Sequence, residues 1–166
     1  MGGVFSVSMT TRSKTDKDIE GVDYFFVDRV EFQQRLEAGD LLEWAVVFGH
    51  SYGTPKRPVL SALAAGRLVI LEVDVEGAIQ VKTHLPDAFA IFVKPPDEQV
   101  LLARLRHRKR EGEQLIQRRL ATARHEIERA ASCGIYDLFI VNKELCAAVR
   151  ASVDMIRQKL ARRMGD

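Results

Sequence analysis

An α/β layered domain is predicted, and three features of the sequence lead to it. Short continuous apolar runs at Val4–Val7, Leu68–Val75, Ala88–Val93 and Leu138–Val141 are rich in Val, Ile and Phe, as strands covered on both faces of a parallel sheet are. Long stretches of helical periodicity separate the later runs, and strands alternating with helices imply parallel crossovers. Between residues 21 and 66 the elements become shorter, so a small mixed subdomain is expected to follow the first strand.

Within that insert, Tyr24–Val27 and Leu42–Phe48 are predicted strands, Arg29–Ala38 a helix ended by Gly39, and Gly49–Thr54 a hairpin-like return. A helix over Lys56–Ala65 ends at Gly66 and leads straight into the Leu68–Val75 strand, glycine just past the last turn being a common helix stop. Pro96-Asp97 opens a helix that runs to Leu105, and Gln114–Ala131 sets Leu115, Arg119, Thr122, Ala123 and Ile127 at helical spacing. The last helix is predicted over Leu145–Met164. No repeat, low-complexity tract or long linker interrupts the series.

At 166 residues, with 46% hydrophobic and 29% charged side chains, the chain has the size and composition of one soluble globular domain. Its apolar runs are far shorter than the roughly 20 residues a bilayer span needs, so no membrane helix is expected. The amino terminus lacks the cationic and apolar segments of a secretory signal, and a cytoplasmic location follows. Cys133 and Cys146 have neither CxxC spacing nor a nearby His, which argues against a disulfide or zinc site and for two small core residues.

Net charge is only +2, but five of the seven residues from Arg104 to Arg110 are Arg or Lys, and Arg118, Arg119 and Arg124 follow. Two readings stand on the residues alone. The run is a solvated helix face paired within its helix to Glu111, Glu113 and Glu126, or it meets phosphates. A nucleic-acid surface is disfavoured because no aromatic platform accompanies the charge.

In chain order the sequence carries Ser8-Met9-Thr10-Thr11-Arg12, Gly21-Val22-Asp23-Tyr24-Phe25-Phe26, Glu43-Trp44-Ala45, Tyr52-Gly53-Thr54 and Glu72-Val73-Asp74-Val75-Glu76-Gly77. Then come Pro95-Pro96, Arg104-Leu105 with Arg108, Arg118-Arg119-Leu120 and Ile140-Val141-Asn142. Together, in this order and at these intervals, the fragments resemble the guanylate kinase family from residue 4 to near the carboxyl terminus. The resemblance implies a P-loop nucleoside monophosphate kinase-like parallel sheet, with a mixed α/β GMP-binding subdomain at 21–66. It implies a core at 4–20 and 67–166 and a helical lid near 104–120, all in one domain spanning 1–166.

A dianion clamp needs donors in a fork, and Ser8 with Arg12 offers a hydroxyl and a guanidinium. Tyr24 and Tyr52 read either as packing groups or as phenolic donors. By resemblance, Ser8, Arg12, Tyr24 and Tyr52 hold the phosphate of GMP. Guanine presents two adjacent donors, N1–H and the N2 amino group, which suit a carboxylate. Glu43 beside Leu41-Leu42 is either turned outward to water or half-buried and in need of a partner. By resemblance it reads guanine, helped by Thr54 and Asp74.

The predicted strand Leu68–Val75 ends among Glu72, Asp74 and Glu76, and carboxylates at that edge of a parallel sheet suit Mg²⁺ with its retained waters. The family usually has Asp where this chain has Glu72. The resemblance further implies ATP and Mg²⁺, with Arg104, Arg108 and Arg119 neutralising the transferred phosphoryl group. Asn142 falls where the family places a residue near the adenine; alone it reads as a turn former.

Three further departures from the family pattern stand out. The second clamp Arg is replaced by Thr15, so weaker GMP binding is expected. The lid tip reads Lys109-Arg110-Glu111-Gly112. No G-x-x-x-x-G-K-[ST] occurs in the 166 residues, so the P-loop, the first strand and the helix after it are expected to be missing, leaving edges on Leu68–Val75 and Ala88–Val93. The expectation is an ATP:GMP phosphotransferase of truncated or impaired form. The alternative is a non-catalytic module binding GMP or a phosphorylated peptide.

Overall fold

The structure, a computed structural model, describes residues 3–107 and 112–165. It divides into two units, Met1–Asp87 and Ala88–Asp166, each with its own buried side chains.

The first unit runs β1 (Gly3–Phe5), β2 (Met9–Thr10), β3 (Phe25–Phe26), α1 (Arg29–Glu37), β4 (Leu41–Val47), β5 (His50–Pro55), α2 (Lys56–Ala64), β6 (Leu68–Ile70) and α3 (Val75–His84). β1 and β6 pair in parallel, with Val4 opposite Val69. The remaining strands form a mixed sheet ordered β3-β2-β5-β4. Met9 and Thr10 thus join the mixed sheet, in a strand too short for periodicity to register. Beneath the sheet Met9, Phe32 of α1 and Leu41 are buried together, with Val27 and Leu36 packed against them.

Local chemistry sets the boundaries. Asp28 caps α1 by accepting a hydrogen bond from Glu31 N (2.7 Å), and Gly39 ends it at φ +69°. Asp40 N then donates to Arg35 O (3.0 Å), so an otherwise orphaned carbonyl is satisfied. The same closure recurs after α2, where Gly66 has φ +70° and Arg67 N donates to Ala62 O (3.0 Å). β4 returns to β5 through Phe48-Gly49, both at positive φ, the backbone a two-residue hairpin turn requires.

The predicted strand Leu68–Val75 is strand only to Ile70. Its second half is instead the lead-in to α3, which the sequence reading did not anticipate. Asp74 caps this helix by accepting from Gly77 N (2.7 Å), and Val75, Ala78 and Val81 form its buried stripe. A cap residue followed by apolar side chains three apart is the signal that was overshadowed by the continuous apolar run.

In the second unit β7 (Ile91–Lys94), α4 (Glu98–His107), α5 (Glu113–Cys133), β8 (Leu138–Val141) and α6 (Leu145–Gly165) follow in order. β7 and β8 pair in parallel from Ile91 opposite Leu138 to Lys94 opposite Val141. The expected strand start at Ala88 moves to Ile91, because Ala90 N donates to the Asp137 carboxylate (2.8 Å), outside the ladder. Asp97 caps α4 through Val100 N (2.8 Å). The buried stripe of α5 is Ile116, Leu120 and Ala130, one step round the helix from the predicted face, which leaves Thr122 exposed. Cys146 is exposed and Cys133 only half-buried, correcting the expectation that both are core residues.

Among the described strands β6 pairs with β1 alone and β7 with β8 alone. Ile70 and Val93 are correspondingly 45% and 52% exposed. No helix among the described residues is long and apolar enough to cross a membrane.

Candidate functional site

A register break in the mixed sheet decides which way its carboxylate faces. Leu41 pairs with Pro55 but Glu43 pairs with Thr54, so two steps on β4 oppose one on β5 and Leu42 is the extra residue of a β-bulge. On β5, Tyr52 and Thr54 lie on one face and Gly53 on the other. A Cβ at Gly53 would lie 2.9 Å from Leu41 Cδ1 and 3.3 Å from Phe32 Cζ, so Leu41 is on the α1 side. Glu43 is on the opposite side, where its carboxylate accepts from Thr54 Oγ1 at 2.5 Å.

Glu43 is only 5% exposed. Burial pushes its carboxyl above the ordinary glutamate range, the Thr54 hydroxyl bond works against that shift, and the Asp74 charge adds to it. Two carboxylates and a hydroxyl therefore meet at the start of α3. Asp74 uses one oxygen, Oδ1, as the helix cap. The helix comes this close because residue 77 is glycine: a Cβ there would lie 2.6 Å from Glu43 Oε2 and 3.1 Å from Asp74 Oδ1.

Two residues along the same face of β5, Tyr52 belongs to a second cluster. Its ring packs edge-on against Tyr24, centroids 5.8 Å apart. The Arg12 guanidinium lies 5.4 Å from the Tyr24 ring centre and 5.3 Å from that of Phe26. Burial raises the Tyr24 phenol, with the Tyr52 and Glu72 charges contributing in the same direction. Arg12 itself is held in a turn after β2, where its backbone N–H donates to Thr10 Oγ1 (3.1 Å). Ser8 precedes β2 half-buried, and its carbonyl accepts from Phe25 N (2.9 Å).

Tyr52 and Thr54, two residues apart, are separated by about 6.5 Å along the strand. That interval joins a cationic and phenolic cluster to a buried acidic one, a spacing on the scale of the ribose between a base and its 5′ phosphate. Glu72 is an exposed single carboxylate, and among the described residues no three His, Cys, Asp or Glu side chains gather around a metal position. Such a donor set fits a Mg²⁺ ion that keeps its waters and is held largely by phosphates.

In the second unit, Arg104 Nη2 donates to the carbonyl of Asn142 (2.8 Å), so these two residues, 38 apart in sequence, meet at the end of β8. Arg119 is half-buried on α5. Arg108 and the lid-tip residues 109–111 lie outside the described residues. Two arginines of the basic stretch pair between helices. Arg106 bonds Glu113 of the next helix (Nη2 to Oε1, 2.7 Å), and Arg124 forks onto Glu98 of the preceding one through Nε (2.6 Å) and Nη2 (2.5 Å).

Three residues that sequence reasoning missed support the first unit's face. Asp18 forks onto Arg12, and Gly77 admits α3 to Glu43. Gln80 accepts from Trp44 N (3.1 Å) and donates to Trp44 O (2.8 Å), fixing α3 against the strand one residue from Glu43. Gln80 carried a readable signal, since a Gln one turn beyond a capped start faces the same way as Glu76 and Gly77.

The fold is of the P-loop nucleoside monophosphate kinase class, with parallel strand pairs, an added mixed sheet and, among the described residues, six helices. The guanylate kinase family model matches residues 2–159. A guanylate kinase of Gloeobacter violaceus is 47% identical over 146 residues, 88% of this chain and 70% of that protein. One of Nocardia farcinica is 47% identical over 154 residues, 92% of this chain and 78% of that one. The crystal structure of guanylate kinase from Anaplasma phagocytophilum matches with a TM-score of 0.72 at 30% identity, covering 95% of this chain and 76% of its own. The chain belongs to the guanylate kinase family.

Proposed function

We propose that this protein transfers a phosphoryl group from ATP to GMP, giving GDP, in the cytoplasm. The proposal divides the chain into a GMP-binding subdomain at 21–66, a core at 4–20 and 67–166, and a lid near 104–120. Glu43 takes the two adjacent donors of guanine, with Thr54 and Asp74 beside it. Adenine brings an amino group and a bare ring nitrogen to the same place, so one donor is lost and an acceptor faces the carboxylate. Ser8, Arg12, Tyr24 and Tyr52 hold the phosphate, Arg12 through its fork and the tyrosines through their hydroxyls.

Arg104, Arg108 and Arg119 neutralise charge on the group in transit, and Asn142 lies beside the adenine of ATP. Mg²⁺ bound with ATP would supply charge neutralisation between the phosphates, and Glu72 is the residue that would help hold it. The observation that carries the reading is a buried carboxylate, bonded to Thr54, on the same sheet face as the tyrosine packed beside Arg12's partner ring.

A polypeptide of these 166 residues, having no G-x-x-x-x-G-K-[ST], is expected to bind GMP and turn it over slowly. Calorimetric titration with GMP, AMP and ATP, followed by an assay for ADP, tests this. Binding of GMP over AMP with ADP release supports the transferase. GMP binding with neither ATP binding nor ADP favours the alternative, a module that binds GMP or a phosphorylated peptide without transfer. Binding of no nucleotide removes both.

A further inference from the structure

We infer that Asp18 is a positioning residue for the phosphate clamp, presenting the unoccupied edge of the Arg12 guanidinium to the monophosphate; the inference rests on the GMP reading above. Asp18 Oδ2 accepts from Arg12 Nη1 and Oδ1 accepts from Arg12 Nη2, both at 3.0 Å. The other Nη1 hydrogen goes to Ser13 O (2.9 Å). A guanidinium has five N–H donors in a fixed plane. With its end fork on Asp18, the two that have no partner among the described residues are Nε–H and the second Nη2–H. These lie side by side on one edge and form the second fork, the geometry that takes two oxygens of a phosphate.

Asp18 is itself held. Its Oδ2 also accepts from Thr15 N and Thr15 Oγ1, both at 2.7 Å, and Asp18 N donates back to Thr15 O (3.1 Å). The four-residue turn Thr15–Asp18 is closed at both ends, and the Asp18 carboxylate accepting from Thr15 N matches the side-chain half of a capping box. Thr15 stands where the family pattern has a second clamp arginine, so this chain has one guanidinium fewer and a braced carboxylate behind the one it keeps. The ring faces of Tyr24 and Phe26 restrict the guanidinium from another direction. An Arg side chain otherwise has many rotamers, and binding a phosphate would require freezing them. Asp18 freezes them beforehand without using the phosphate-facing edge.

The test is calorimetric affinity for GMP and for guanosine, which lacks the phosphate, on the full chain with Asp18→Asn, Arg12→Ala and the double variant. Asp18→Asn is expected to weaken GMP about tenfold, the scale of one charge-assisted bond, with guanosine affinity unchanged and Asp18→Glu recovering part of the loss. In the Arg12→Ala background Asp18→Asn is expected to change nothing, since the effect runs through Arg12. An unchanged or tighter GMP affinity overturns the inference, because Asp18 is then inert or competes with the phosphate. Equal loss of GMP and guanosine also overturns it, as does a loss that persists without Arg12. Should Asp18→Asn fail to fold, Thr15→Ala is expected to weaken GMP about threefold in the same selective way, and a flat result is equally fatal. A wild-type chain that prefers neither GMP over guanosine nor GMP over AMP fails at the level of the proposed function, which separates the two failures.

Discussion

Leu41 and Glu43 sit two residues apart in one strand and face opposite sides of the sheet. Ordinary alternation would put both side chains on the same face. The bulge at Leu42 breaks that rule, sending Leu41 into the apolar layer with Phe32 and Glu43 onto Thr54. Replacing Glu43 by Ala should therefore weaken GMP by about 1–3 kcal/mol, the scale for losing the partner of buried donors. Calorimetry reads it, and an unchanged affinity would remove Glu43 from the base site.

The buried carboxyl of Glu43 is held above the ordinary glutamate range, and its charged form is the one guanine's donors need. GMP affinity should thus fall on acidification, beginning at a higher pH than the ordinary glutamate value of about 4.3. Folding follows the reverse sign. Because the folded pKa is raised, Glu43's contribution to stability is fully present below its unfolded pKa and is lost as pH rises through the folded one. Glu43→Gln should flatten both dependences, which titrations and thermal melts across pH 5–8 would reveal. Asp18 occupies a different window. Its carboxyl is held well below the ordinary range by Arg12 and Thr15, so its contribution persists until strong acid.

Gly77 separates packing from propensity. In an open helix Gly→Ala stabilises by about 0.5–1 kcal/mol, but here the added Cβ would meet Glu43 Oε2 at 2.6 Å. The expected result for Gly77→Ala is a destabilisation of about 1–3 kcal/mol, the cost of overpacking, together with weaker GMP binding. A gain in denaturation midpoint would mean that α3 does not close on the carboxylate.

Phe48 has φ +50° and is 46% exposed at the hairpin tip. A side chain held in that left-handed region costs on the order of 1 kcal/mol, and Asn tolerates it far better than Phe. Phe48→Asn should be more stable than Phe48→Ala by about that amount, since both lose the ring and only Asn tolerates the left-handed backbone, with GMP affinity unaltered in both, as chemical denaturation would measure.

Much of the secondary structure is legible in the residues, and the exceptions share a cause. Gly39 and Gly66 mark two helix ends because the left-handed closure depends on the local chain alone. The two-residue strand Met9–Thr10 and the bulge at Leu42 exist only through their partners on β5, and no local pattern announces them. The helix after Asp74 was readable from its cap but was hidden by the apolar residues before it. Glu113 illustrates the limit for charges: spacing within one helix suggested an internal pair, whereas its partner, Arg106, is on another helix. At the site, motif order named Arg12, Tyr24, Glu43 and Tyr52; of the groups that brace them, Gln80 had its helical spacing from Glu76 and Gly77 to mark it, whereas Asp18 and Gly77 became visible only with the chain folded.

One face of the mixed sheet is proposed to bind a guanine nucleotide, with its base at Glu43 and its phosphate at Arg12. A crystal structure of the chain with GMP measures this directly. The expected density puts the N1 and N2 donors within hydrogen-bonding distance of the Glu43 carboxylate and phosphate oxygens on the Nε/Nη2 edge of Arg12. GMP bound in the reverse sense, or away from both side chains, would contradict it.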